Sequence, residues 1–318
     1  MSNLTTAIQL TRNSTYKLNN GLSIPIAGYG VYQLDSKTTK DLVYRALEDG
    51  YRHIDSAAIY GNEKEAAEGI AAFLKDYPKV SREDIWFTTK IWNEDQGYEE
   101  TKKGVQKTAD KVKPYIGYVD LFLLHSPLTS KDKRLGSWKA LQEFVSDPSN
   151  DVLQIKSIGV SNFGIEHIEE LLNWEGLSIK PVVNQLELHP WLPHLKLRKY
   201  CLSKDILLEA YSPLTQGHKL NDPELLSLEK KFGVPKVEIL LKWSYLQGFI
   251  VLAKTEKFER IKQNLSVLPD GQVEDDQLEE TKSFGKVDLE EEILQALDKP
   301  ESHEVLCWGN KDPTEYKD

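Results

Sequence analysis

Leu-Phe-Leu-Leu-His at residues 121–125 and Ile-Leu-Leu at residues 206–208 are continuous apolar runs, each too short to be a helix by itself. A strand that is apolar at consecutive positions has both faces covered, as happens in a parallel sheet packed under helices. Outward from these two, comparable runs recur at residues 24–30, 51–55, 85–90, 119–125, 156–161, 181–185, 206–211 and 249–254. Amphipathic stretches separate them. Apolar residues return at helical spacing over residues 38–49, closed by Gly50, and over 64–74, 137–145, 166–174, 223–232 and 236–246. Eight strand-then-helix units close most economically on themselves, so the pattern predicts an α/β protein of the (β/α)8, or TIM barrel, class.

Two segments fall outside the repeat. Residues 16–25, with Asn19, Asn20 and Gly21 between extended stretches, read as a short N-terminal β-hairpin. Residues 267–286 are acidic, carry Pro269, Asp270 and Gly271, and read as an exposed insertion ahead of a helix at 289–297. A closed barrel accommodates all 318 residues as one domain, 1–318.

The composition, 40% hydrophobic and 28% charged, suits a globule with a large core, for which a monomer is the expectation. A formal net charge of -10 opposes attraction to nucleic acid or to an anionic membrane surface. No apolar run reaches the roughly 18 residues that a membrane span needs, and residues 1–15 lack the basic start and apolar middle of a secretory signal. A cytoplasmic protein with no membrane or nucleic-acid partner is the expectation. Cys201 and Cys307 have no paired spacing and read as free thiols. His53 reads as a packed barrel residue, and the other histidines show no coherent ligand spacing, so no metal site is expected.

Catalytic groups in such barrels sit at the C-terminal strand ends. Here those ends carry Asp55, Lys90, His125, Ser161 with Asn162, Gln185, Tyr211 and Lys254. Tyr60 follows Asp55 in the segment leaving the second strand and can fold back over the mouth. A phenol is a poor acid at neutral pH, and an adjacent ammonium, here Lys90, is expected to lower its pKa. Asp55 would keep Lys90 charged and His125 would hydrogen-bond a substrate oxygen, an arrangement suited to delivering a proton to a carbonyl oxygen as hydride reaches its carbon.

Gly-Tyr-Arg-His-Ile-Asp-Ser-Ala-Ala-Ile-Tyr-Gly-Asn-Glu at 50–63, Leu-Leu-His-Ser-Pro at 123–127 and Ile-Gly-Val-Ser-Asn-Phe at 158–163 resemble the signature stretches of the aldo-keto reductases, over about residues 16–264. The chain is similar to fungal members related to aldose and xylose reductases. The resemblance implies a catalytic tetrad of Asp55, Tyr60, Lys90 and His125, and a nicotinamide carboxamide held by Ser161, Asn162 and Gln185. It implies a nicotinamide stacked on Tyr211, with Ser212 and Leu214 alongside in Glu-Ala-Tyr-Ser-Pro-Leu at 209–214. Lys254 and Thr255 open a helix carrying Arg260 and Asn264 four residues apart, which with the helix N-terminus would take the 2'-phosphate of NADPH, making NADH the disfavoured cofactor. The family also makes a monomer or a weak dimer the default.

Departures from the family pattern bear on preference. Ala253 stands where proline is usual, and Gln263 where many NADPH-preferring members have glutamate. Around the substrate pocket Tyr32 replaces a common tryptophan and Ser126 follows His125 where some members have tryptophan, while Trp92 remains, which predicts a more open pocket. Trp191 and Trp308 lie in loops that either border the pocket or simply cap the barrel. The expected activity is NADPH-dependent reduction of aldehydes and ketones, among them aldoses, small aldehydes and keto esters. A noncatalytic NADPH-binding regulator or redox sensor is the alternative, and a metal-dependent hydrolase on the same fold lacks convergent ligands in the sequence.

Overall fold

The computed structural model describes residues 4–147, 149–270 and 285–318. Short strands β1 (Ala7–Gln9), β2 (Thr15–Lys17) and β3 (Ser23–Pro25) precede the barrel. Its staves are β4 (Ala27–Gly30), β5 (His53–Asp55), β6 (Trp86–Ile91), β7 (Tyr118–Leu124), β8 (Gln154–Ser161), β9 (Val183–Glu187), β10 (Leu207–Tyr211) and β11 (Ile250–Ala253). All neighbours pair in parallel, and β9 to β10 and β11 to β4 complete the ring. The predicted closed (β/α)8 barrel is the fold.

Helices cover the outside: α1 (Ser36–Glu48), α2 (Glu63–Asp76), α3 (Tyr98–Ile116), α4 (Lys131–Ser146), α5 (Ile165–Leu172), α6 (Leu195–Ser203), α7 (Pro223–Phe232), α8 (Lys236–Leu246), α9 (Phe258–Leu265) and α10 (Glu291–Leu297). The bounds of α7 and α8 coincide with the predicted ones. Two helices, α3 and α6, have no counterpart in the sequence pattern. In α3, Gly104 and Pro114 break the propensity. A Cβ at Gly104 would meet Ile91 Cδ1 at 2.1 Å, so with α3 this close to β6 a larger residue requires the Ile91 side chain to move.

Three strand assignments shift. The run at 24–30 divides, because Pro25 ends an antiparallel pairing with Thr15 and has no N–H to carry a ladder onward, so the stave starts at Ala27. The run at 181–185 moves to Val183–Glu187, beyond Pro181. The run at 51–55 pairs only from His53, after a left-handed turn at Gly50 (φ 113).

The hairpin β2–β3 plugs the N-terminal end of the barrel. Leu18 and Ile24 pack with Trp86, Leu121, Leu123, Val182, Val183 and Ile250 inside it. At its turn Asn19 Nδ2 donates to Pro181 O and Asp205 O, both at 2.9 Å. At the edges of the insertion expected at 267–286, Val267 and Leu268 are buried rather than exposed, and Lys286 opens β12 (Lys286–Asp288), which pairs antiparallel with β1. The stretch 271–284 lies outside the described residues. Among the described residues, no helix is long and apolar enough to cross a membrane. With one end of the barrel sealed, the opposite end, where the strands finish, is the open one.

Candidate active site

Asp55 ends β5, Lys90 lies near the end of β6 and His125 directly follows β7, so neighbouring staves deliver all three to the mouth. Tyr60 comes from a short 3-10 turn, Ala58–Tyr60, and the left-handed Gly61 (φ 71) reverses the chain into α2. Asn62 locks this turn: its buried Nδ2 donates to Val31 O at 2.8 Å and Leu34 O at 3.3 Å, tying it to the loop that carries Tyr32.

Lys90 is fully buried, and its Nζ donates to Asp55 Oδ1 at 2.7 Å, to Ser56 O at 2.7 Å and to Tyr60 Oη at 3.3 Å. Burial opposes the charge on Lys90, but Asp55 and Tyr60 outweigh it and raise its pKa. The other Asp55 oxygen accepts from Gln185 Nε2 at 2.9 Å. For Tyr60 the expectation of a lowered pKa is corrected. Burial of the phenol dominates the opposing pull of Lys90, Asp55 adds to the rise, and the pKa is pushed up to about 12. Tyr60 therefore holds its proton across physiological pH, which is the form a proton donor needs.

His125 stands edge-on to Tyr60 (centroids 5.8 Å, 82°) and to Trp92 (4.9 Å, 85°). Burial and then the Lys90 charge drive its pKa well below the ordinary value, so the imidazole is neutral. Its Nδ1 is buried without a hydrogen-bond partner. Below the mouth, Gln185 Nε2 also donates to buried Glu209 at 3.1 Å, and burial next to the Asp55 charge pushes Glu209 up to about 8. His53 is fully buried in the barrel as expected, and burial holds it down to about 4.

These groups open into a cavity of about 630 Å³. Asp55, Tyr60, His125, Tyr32 and Trp92 line it near the tetrad, and Ser161, Asn162, Gln185, Tyr211, Ser212 and Leu214 continue the wall. Tyr211 Oη donates to Asn162 Oδ1 at 2.7 Å, which fixes its ring, and Asn162 Nδ2 donates to His125 O at 2.9 Å. At the far end Lys254, Thr255 and Arg260 join the lining together with Glu256 and Lys257. Two anticipated residues are not brought in. Ser126 is fully buried, with its Oγ donating to Asn93 Oδ1 at 2.7 Å. Asn264 is on the buried face of α9 and does not line the cavity, whereas Arg260 is exposed.

Of the two loop tryptophans, one borders the cavity. Trp308 lies in the wall, parallel to Trp92 (centroids 6.5 Å, 13°), and its Nε1 donates to Tyr211 Oη at 2.7 Å. The device that brings it there is Glu187, which ends β9 and accepts from Leu306 N at 2.9 Å and Cys307 N at 3.1 Å. Burial opposes the Glu187 charge, but His189 and these amides outweigh it and lower its pKa. Strand alternation puts Glu187 on the same side as Gln185, a signal lost when the strand is ended at Gln185. Cys307 borders the cavity as a thiol, its pKa pushed up to about 12 by burial and by Glu187. Trp191, by contrast, is a buried core residue.

An Asp-Lys-Tyr-His cluster thus stands at the mouth of a parallel barrel, on a cavity whose lining also takes in Lys254, Lys257 and Arg260. A model of the aldo/keto reductase family matches residues 27–286. An uncharacterized oxidoreductase of Saccharomyces cerevisiae is 38% identical over 294 residues, covering 92% of this chain and 96% of that one. A glyoxal reductase of Bacillus subtilis is 39% identical over 254 residues, covering 80% and 86% respectively. The crystal structure of an aldo/keto reductase from Brucella melitensis superposes with a TM-score of 0.74 at 37% identity, over 90% of this chain and 98% of that one. The chain belongs to the aldo/keto reductase family, whose chemistry is the reduction of carbonyl groups.

Proposed function

We propose that this protein reduces aldehydes and ketones to alcohols with NADPH, Tyr60 acting as the general acid. The observation that carries the reading is the Lys90 ammonium bonded at once to Asp55 and to the Tyr60 hydroxyl, beside a neutral His125, at the mouth of one cavity. A bound reduced nicotinamide supplies the hydride. Tyr60 and His125 receive the carbonyl oxygen, Tyr60 gives it a proton, and Lys90 stabilises the phenolate left behind until solvent reprotonates it. Trp92, Trp308 and Tyr32 screen this end from water and set the substrate's shape. Small aldehydes, aldoses and keto esters are the substrate class, and the reductase of Bacillus subtilis that shares 39% identity is one for glyoxal.

The donor set fits a nicotinamide dinucleotide. A polar wall of Ser161, Asn162 and Gln185 beside the Tyr211 ring suits a carboxamide-bearing ring, and the exposed Lys257 and Arg260 at the start of α9, with Lys254 in the loop after β11 rather than opening the helix, suit a phosphate. Glu256 works against the phosphate, because it pairs with Lys254 Nζ at 2.7 Å. Arg260→Ala is therefore expected to raise KM for NADPH by about tenfold or more and to leave KM for NADH nearly unchanged. Glu256→Gln is expected to shift preference the other way, towards NADPH. Equal effects on both cofactors contradict the phosphate assignment.

The pH dependence follows from the two shifts. Tyr60 is a donor only below its raised pKa, so its contribution disappears as pH rises towards about 12. His125 donates in its neutral form, so its contribution disappears only as pH falls well below the usual imidazole value. A profile of kcat/KM is expected to show no step from either group between pH 6.5 and 9, and an alkaline loss centred near 8 that persists in Glu209→Gln, which removes the buried carboxyl at about 8, contradicts this. The reaction itself is tested with NADPH carrying deuterium at both C4 positions: deuterium must be found on the carbinol carbon of the product, and an unlabelled product rejects direct hydride transfer.

A further inference from the structure

Two histidines and two carboxylates outside the tetrad meet beside the mouth. His194 sits at the start of α6 in a left-handed conformation (φ 46), while His303, Asp312 and Glu315 come from the C-terminal segment. Donor atoms of His303, Asp312 and Glu315 all lie within 4.8 Å of one another. His303 Nε2 is 3.2 Å from Asp312 Oδ2 and 3.9 Å from Glu315 Oε1, and His194 Nε2 is 3.9 Å from the same Asp312 oxygen. The two imidazole rings stand perpendicular at 5.9 Å.

Asp312 is the unusual member. Its side chain is only 3% exposed. Oδ1 accepts from Thr314 N at 2.8 Å, but Oδ2 is buried and has no hydrogen bond, the approach of His303 lacking the geometry for one. A buried carboxylate oxygen left without a partner is costly unless something satisfies it. His303 and Glu315, at 48% and 71% side-chain exposure, leave a way in from solvent.

We propose that His303, Asp312 and Glu315 bind a divalent transition-metal ion of the zinc class, with solvent in the fourth position and His194 standing behind the shared Asp312 oxygen. Imidazole with carboxylate suits zinc, whereas calcium and magnesium favour all-oxygen sets. Bonds of about 2.0–2.1 Å in a tetrahedron put donor atoms roughly 3.3–3.4 Å apart; His303 and Asp312 already stand at 3.2 Å, and the 3.9 Å between His303 and Glu315 closes by rotation of the exposed Glu315 side chain. The ion clips His303 to Asp312 across the loop that presents Cys307 and Trp308 to the cavity, and so holds Trp308 over the mouth. No step of the proposed reduction depends on it.

The test is calorimetric titration of untagged, EDTA-stripped full-length protein with zinc chloride. One ion per chain is expected, with calcium and magnesium failing to compete. His303→Ala and Glu315→Gln change exposed side chains and are expected to keep the melting temperature in EDTA while weakening zinc by at least about tenfold. Cys307→Ser is expected to retain zinc. Wild-type affinity in both exposed variants, absence of a saturable ion, or loss of zinc in Cys307→Ser overturns the proposal.

Discussion

Tyr60→Phe is expected to lower kcat/KM for carbonyl reduction by about 10²- to 10⁴-fold, the range for loss of a positioned general acid. Steady-state kinetics with a small aldehyde measures it. NADPH affinity, read from protein fluorescence quenching, is expected to stay within about twofold, because Tyr60 is not among the residues proposed to hold the dinucleotide. The phenylalanine ring keeps the contacts with Tyr32 (centroids 4.9 Å) and His125 (5.8 Å) and loses only the hydroxyl, so the effect reports the proton rather than packing. A Phe variant with wild-type turnover removes Tyr60 from the chemistry.

Lys90→Met is expected to cost activity and stability together. The ammonium is fully buried between Asp55 and Ser56 O, so its removal leaves Asp55 a buried charge supported only by the Gln185 amide. Breaking a buried pair from one side costs about 3–5 kcal/mol. In a chain of this size that lowers Tm by roughly 10 °C. Turnover is expected to fall by at least about a hundredfold, since the phenolate formed on Tyr60 then has no cation beside it. Adding Asp55→Asn removes the stranded charge, so the double variant is expected to regain part of the Tm and none of the activity. Calorimetry with parallel kinetics checks both, and a single variant as stable as wild type contradicts the buried pair.

The barrel was legible because consecutive apolar runs such as 121–124 and 206–208 mark strands covered on both faces, and such strands imply the helices over them. That Asp55, Lys90 and His125 would meet was legible because strand order puts them on adjacent staves. Four things were not. Gly104 and Pro114 hid α3, since the close packing at the glycine is tertiary. Trp308 reached the cavity through Glu187, a contact across more than a hundred residues that local pattern does not carry. Ser126 and Asn264 turned inward although a neighbouring site residue faces the cavity, because Asn93 takes the one and the buried face of α9 the other. The direction of the Tyr60 shift was misread from sequence because Lys90 was visible there and the extent of burial was not.

The central claim is that this chain turns over carbonyls rather than merely holding a dinucleotide. The measurement that addresses it is NADPH consumption, with NADH in parallel, by the wild-type protein against aldehydes, aldoses and keto esters. Carbonyl-dependent oxidation, faster with NADPH and absent in Tyr60→Phe, is the predicted result. Tight NADPH binding with no turnover across the panel contradicts it and makes the protein a cofactor-binding sensor.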